Sequence, residues 1–145
     1  MRVAVFNGPN LNLLGRREPE IYGTTTLAEI EAMVRAEAAR LGATVSWLQT
    51  NHEGVLVDEI QRLPETADGL ILNAGAYAHS SLAIRDALLA VGVPFIEVHL
   101  TDVAKREEIR RRLVFSDLAQ EVITGRGPEG YRLALQALVR RFRGG

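Results

Sequence analysis

Five short apolar runs, each almost free of polar interruption and each followed by an apolar stripe of helical period, constrain this chain more than any other feature. The runs are residues 3–6, 45–48, 70–72, 95–98 and 122–123. A strand covered on one face alternates polar with apolar residues, whereas a strand covered on both faces reads as a continuous apolar run. Between the runs, Leu27, Ile30, Val34, Ala38 and Leu41 step by three or four along one helix face. Thr26 followed three residues later by Glu29 predicts a capping box at its start, and Gly42 a stop. Leu56, Ile60 and Leu63 predict a second helix, and Ile84, Leu88 and Val91 a third. Residues 104–112 predict a fourth, and Tyr131, Leu135, Leu138 and Phe142 a fifth. Strands alternating with helices imply a parallel sheet with helices on both faces.

The expected architecture is therefore α/β: a flavodoxin-like, doubly wound, five-stranded parallel sheet in a three-layer α/β/α sandwich. One such catalytic domain accounts for all of residues 1–145. In this architecture ligands bind beyond the carboxyl ends of the strands. Unusual residues gather there: Asn7-Gly8-Pro9-Asn10, Asn51-His52-Glu53-Gly54, Asn73-Ala74-Gly75 and Glu97-Val98-His99.

Composition narrows the chemistry. With Cys 0 there is no thiolate nucleophile and no zinc-thiolate site. Lys105 is the sole lysine and lies in a charged segment, a poor setting for an imine-forming amine. A net charge of -1 gives no reason to expect nucleic acid. No run approaches the ~18 apolar residues of a membrane span. The apolar start is too short for a signal peptide, so a cytoplasmic protein is the expectation. The three histidines, His52, His79 and His99, have no metal-ligand spacing, and no cofactor or metal is expected.

Two functions that share this architecture fit poorly. A phosphoacceptor receiver domain needs acidic residues after the first strand, an aspartate after the third and a lysine after the fifth. Here those places hold Asn7, Asn73 and Thr124-Gly125-Arg126. A flavin carrier needs a hydroxyl-rich phosphate loop, and residues 8–15 form none. Residues 7–23 are instead a long connection with no expected helix, the kind that serves as an active-site lid, and they carry Arg16, Arg17 and Tyr22.

Gly8-Pro9-Asn10-Leu11-Asn12-Leu13-Leu14-Gly15-Arg16-Arg17-Glu18-Pro19, followed by Tyr22-Gly23, resembles the signature of the type II 3-dehydroquinate dehydratases. The resemblance continues through Asn51-His52-Glu53-Gly54, Asn73-Ala74-Gly75 with His79, Arg85-Asp86-Ala87, Glu97-Val98-His99, Arg106-Glu107-Glu108 with Arg110, Gly125-Arg126-Gly127 and Gly130-Tyr131. It implies a cofactor-free trans elimination of water from 3-dehydroquinate, giving 3-dehydroshikimate through an enolate. This is the third step of the shikimate pathway toward chorismate and the aromatic amino acids, and the biosynthetic direction is the default. The resemblance also implies a homo-oligomer, a dodecamer built as a tetramer of trimers.

Residue by residue, the resemblance implies Tyr22 as proton acceptor, Arg17 as its activator and transition-state stabiliser, and His99 as proton donor. Asn10 matches the position that orients a water toward the enolate oxygen. Glu97, two residues before His99 on one strand, faces the same side and can orient it. Asn73, His79, Asp86, Leu100, Thr101 and Arg110 match substrate-binding positions, with Asp86 reaching a neighbouring subunit's site. Leu100 acts through its backbone, because it and Thr101 precede a helix whose free N–H groups suit a carboxylate. One departure bears on this. His99-Leu100-Thr101-Asp102 stands where the family reads His-x-Ser-Asn, which brings an anion near an anionic substrate unless Arg106 or Arg110 neutralises it. Glu121 stands where a small residue is common, with no reason visible in the sequence.

Overall fold

The computed structural model describes residues 1–144. Its strands are β1 (Arg2–Asn7), β2 (Thr44–Gln49), β3 (Gly69–Asn73), β4 (Phe95–His99) and β5 (Glu121–Thr124). They form one parallel sheet in the order β2-β1-β3-β4-β5. The helices are α1 (Pro19–Tyr22), α2 (Leu27–Leu41), α3 (Glu53–Thr66), α4 (Leu82–Val91), α5 (Glu108–Arg111) and α6 (Glu129–Phe142). This is the expected doubly wound sandwich.

Alternate residues of the central strands supply two separate cores. Val3, Val5, Ile71, Ile96 and Val98 pack with Ile30 and Val34 of α2 and Leu135 and Leu138 of α6. Ala4, Phe6, Leu70, Leu72 and Phe95 pack with Leu56, Ile60 and Leu63 of α3 and Ile84 and Leu88 of α4. Both faces of β1, β3 and β4 are thus dry, which is why their sequences do not alternate. Each fully buried side chain of this size contributes roughly 1.5–3 kcal/mol. β2 and β5 lie at the sheet's edges and are only partly covered.

The predicted caps of α2 are present. The Glu29 N–H donates to Thr26 Oγ1, the Thr26 N–H donates to Glu29 Oε1, and Gly42 closes the helix at φ 73°. Two expectations need correction. Residues 104–112 are not one helix: a 3-10 turn at Val103–Lys105 and the short α5 flank Arg106 and Glu107, whose backbones are extended. Tertiary contacts outweigh helix propensity there, because Arg106 turns its side chain inward to bond two other segments. Residues 7–23 are not without helix either, holding a 3-10 turn at Leu11–Leu13 and the one-turn α1, with Pro19 at its first position. Among the described residues no helix is long and apolar enough to cross a membrane.

Candidate active site

At the carboxyl edge of the sheet the loops after β1 and β3 interlock. The Gly8 N–H donates to Asn73 O at 2.8 Å, and a Cβ on Gly8 would lie 2.2 Å from the carbonyl oxygen of Ala74. Only glycine permits this approach. Asn10 adopts φ 68°, a left-handed conformation that asparagine tolerates, and its N–H donates to Asn51 Oδ1 at 3.0 Å.

Asn73 ends β3 with its side chain fixed on both sides. Its amide donates to Tyr131 Oη at 2.9 Å, and its Oδ1 accepts from the Gly75 N–H at 3.2 Å. Tyr131, fully buried on α6, donates in turn to Asn7 Oδ1 at 2.7 Å. Burial pushes this phenol well above its ordinary pKa, so it stays neutral as a hydrogen-bond bridge.

His99 ends β4 and is 5% exposed. Its Nε2 faces the fully buried Glu97, whose Oε2 accepts from it, which leaves Nδ1 as the ring's free nitrogen. The His79 ring stands 6.2 Å from the His99 ring. His79 Nδ1 lies 2.9 Å from Arg112 O and donates to it, so its Nε2 is left as an acceptor. Burial lowers the pKa of His79, opposed by that carbonyl, which favours the neutral ring.

The lid brings Tyr22 over the same edge. The Arg17 guanidinium lies 4.9 Å from the centre of the Tyr22 ring and that of Arg106 5.5 Å. Arg106 Nη1 also donates to Tyr22 Oη and to Thr101 Oγ1, each at 3.2 Å. The contact to the phenolic oxygen thus comes from Arg106, while Arg17 stacks on the ring and lies 3.6 Å from Glu18. Asn10, Arg17, Tyr22, Asn73, His79, His99, Leu100, Thr101, Arg106 and Arg110 all line one open cleft of about 620 Å³.

The sequence profile described as Dehydroquinase class II matches residues 1–139. The chain belongs to the class II dehydroquinases. It is 52% identical over 141 residues to catabolic 3-dehydroquinase 1 of Aspergillus terreus, covering 97% of this chain and 93% of that protein. It is 48% identical over 145 residues to the 3-dehydroquinate dehydratase of a Jannaschia species, covering 100% of this chain and 98% of that one. The crystal structure of type II dehydroquinase from Butyrivibrio crossotus superposes with a TM-score of 0.93 at 41% identity, covering 95% of this chain and 97% of that one. This chain is accordingly a hydro-lyase with the family's fold.

In this dehydroquinase the cleft gathers the predicted residues except two. Glu97 sits behind His99, bonded to its ring, rather than in the cleft. Asp86 is exposed on the outer side of α4 and does not line the cleft of its own chain. Sequence reasoning considered Arg106 only as a neutraliser of Asp102. The structure makes it the residue that ties Tyr22 to Thr101, and its membership of the Arg106-Glu107-Glu108 motif was the available signal. Asn51, which anchors the backbone of Asn10, was visible only as part of a motif without a role.

Asp102 resolves differently from expectation. Its Oδ1 accepts from the Ala104 N–H at 3.1 Å, its Oδ2 lies 4.0 Å from Lys105 Nζ, and it does not line the cleft. Its charge is spent on capping the three-residue turn, beside a lysine rather than beside Arg106 or Arg110. The expected helix behind Leu100 and Thr101 is only that turn, so no helix dipole supports a carboxylate there. Arg106 and Arg110 supply the positive charge instead; Arg110 is paired with Glu107. Lys105 is 84% exposed, an unsuitable environment for an imine. Glu121 lies 3.9 Å from Arg141 of α6, an exposed ion pair. Among the described residues no group of three or more His, Asp or Glu is placed to hold a metal ion.

Proposed function

We propose that this cleft dehydrates 3-dehydroquinate through an enolate, with Tyr22 taking the proton α to the ketone and His99 returning a proton to the departing hydroxyl. The observation that carries this reading is the pairing of two proton-transfer groups in one cleft, each with its own charge support. Tyr22 has two guanidinium groups at its ring, so positive charge lies where the phenolate's negative charge resides. His99 has a buried carboxylate on its far nitrogen, which supports the imidazolium.

The bonds balance without a redox step. Tyr22 Oη takes the proton, and the C–H electron pair moves into the enolate. Collapse of the enolate expels the β-hydroxyl, which leaves as water with the proton from His99. A cofactor has no task in such a sequence. The enolate oxygen needs a preorganised donor. Asn10, with its backbone pinned by Asn51, holds a water toward it in this reading. Asn73 offers its second amide proton and His79 its Nε2 to substrate hydroxyls, Thr101 and the Leu100 backbone lie beside them, and Arg110 faces the carboxylate.

The same proposal includes an assembly. On α4, Leu82 is 62% exposed and Leu89 56%, with Asp86 between them on the same outward side. Ile109 of α5 is 78% exposed. Apolar residues left open around a carboxylate fit a homo-oligomeric contact in which Asp86 reaches a neighbour's cleft, in trimers that build a dodecamer.

The direct test is to add the protein to 3-dehydroquinate and follow the absorbance of the conjugated enone. Steady growth with turnover is expected. A folded protein that leaves the absorbance flat would overturn the reading.

A further inference from the structure

Glu97 is a buried carboxylate with two oxygens to satisfy, and His99 takes only one of them. Ser116 Oγ donates to the other, Oε1, at 2.7 Å. Ser116 opens the 3-10 turn Ser116–Leu118, in a stretch of chain between α5 and β5 that carries no other site residue. That stretch is nevertheless held tightly. Phe115 is fully buried and packs edge-on against Phe95 at 6.3 Å, and the Val114 N–H donates to Ala78 O at 2.9 Å. Arg85 of α4 donates to Val114 O at 3.1 Å and to both oxygens of Asp117 at 2.5 and 3.0 Å. A surface turn with this many anchors places a single hydroxyl on a buried carboxylate.

We propose that Ser116 is a positioning residue for proton donation: by holding Glu97 Oε1 it fixes which carboxylate oxygen meets His99 and how much of the negative charge His99 feels. This rests on the assignment of His99 as the proton donor. A carboxylate bonded at one oxygen alone can rotate about its terminal torsion, which is broad and weakly restrained. The imidazole bonded to it would follow. The Ser116 hydroxyl removes that freedom and draws part of the carboxylate's charge away from the histidine. Partners of this kind, one bond behind the reacting group, set the tautomer and orientation of a histidine.

The other charged or titratable groups around His99 are His79 at the adjacent ring and Tyr22, Arg17, Arg106 and Arg110 lining the cleft. The Ser116 hydroxyl bonds Glu97 and none of these groups, so a shift in the pH profile on its substitution is expected to act through Glu97.

The experiment compares Ser116→Ala and Ser116→Thr with the parent enzyme, alongside His99→Ala. It measures kcat and KM for 3-dehydroquinate across pH, together with thermal unfolding. For Ser116→Ala, kcat is expected to fall about tenfold, the scale of one hydrogen bond to a charged group, with KM within about twofold. The basic limb of the kcat profile reports loss of the donor's proton. That limb is expected to move upward, because an undivided carboxylate charge stabilises the imidazolium more. Ser116→Thr keeps the hydroxyl and should restore both the rate and the limb. An Ala variant with unchanged kcat and limb overturns the proposal, and so does one that loses only thermal stability while the limb stays in place. If His99→Ala keeps the parent kcat, the donor assignment itself fails, an outcome separate from failure at Ser116.

Discussion

His99 and Asn73 stand at the ends of buried strands: the His99 ring is bonded to buried Glu97, and the Asn73 amide to buried Tyr131 and to the Gly75 N–H. Tyr22 and Arg17 occupy a different kind of structure. Their segment passes through left-handed backbone at Gly15, Glu18 and Gly23, and α1 buries none of its residues. Glu18 is the revealing position, since a non-glycine residue at φ 39° costs free energy that surrounding contacts must offset. One wall of the cleft is thus part of the protein's core, whereas the other is a lid whose Tyr22 packs against the edge of that core and bonds Arg106. The proposed proton donor thus comes preorganised with folding, whereas the proposed base sits on a connection outside the sheet.

Substitutions on the two walls should therefore separate activity from stability. The largest effect is expected on the lid. Arg17→Ala removes a cation from the Tyr22 ring and should lower kcat by about 10²–10³-fold. Because Arg17 contributes nothing to the core, the unfolding free energy should stay within about 0.5 kcal/mol of the parent. Steady-state kinetics and urea unfolding on the same preparation check both halves. A large stability loss would mean that the lid is part of the core after all.

The proposed assembly adds a third wall to the cleft, and Asp86 is the residue proposed to supply it. Asp86→Ala should lower activity about tenfold, on the scale of one charged hydrogen bond. When Asp86→Ala and Tyr22→Phe subunits are assembled together, some activity should return. Sites that draw Tyr22 from one parent and Asp86 from the other carry neither lesion. No recovery in mixtures shown by light scattering to be co-assembled would place Asp86 outside the site.

The smallest effect on turnover, and the largest on stability, is expected behind the core wall. Tyr131→Phe keeps the packed ring but deprives Asn7 Oδ1 of its donor and Asn73 of an acceptor. An unsatisfied buried polar group costs about 1–3 kcal/mol, read as a lower urea midpoint at fixed protein concentration. The accompanying change should be a severalfold rise in KM as Asn73 loosens. An unchanged midpoint would show that the Asn7–Tyr131–Asn73 chain does not brace this wall.

The two walls also differ in how far they could be read from sequence. β1, β3 and β4 were legible because both of their faces are dry, so burial is written into consecutive residues. The caps of α2 were legible because capping is local chemistry. Residues 104–112 misled for the opposite reason. Their helical composition is outweighed by contacts that Arg106 makes with Tyr22, 84 residues away in sequence. α1 was missed because one turn offers no period to detect. The residues that line the cleft were legible through resemblance, whereas Ser116 and Tyr131 were not assigned roles. A hydroxyl acting through another side chain leaves no pattern of spacing.

The central claim is the division of labour between walls, Tyr22 for proton removal and His99 for proton return, and solvent exchange at the substrate separates the two steps. In deuterium oxide, His99→Ala should still form the enolate. It should therefore wash deuterium into the position α to the ketone of 3-dehydroquinate, with little enone produced. Tyr22→Phe should give neither deuterium nor enone, although it remains folded and assembled. A Tyr22→Phe enzyme that washes in deuterium at the rate of His99→Ala would contradict the account, because the base would then lie somewhere other than the lid.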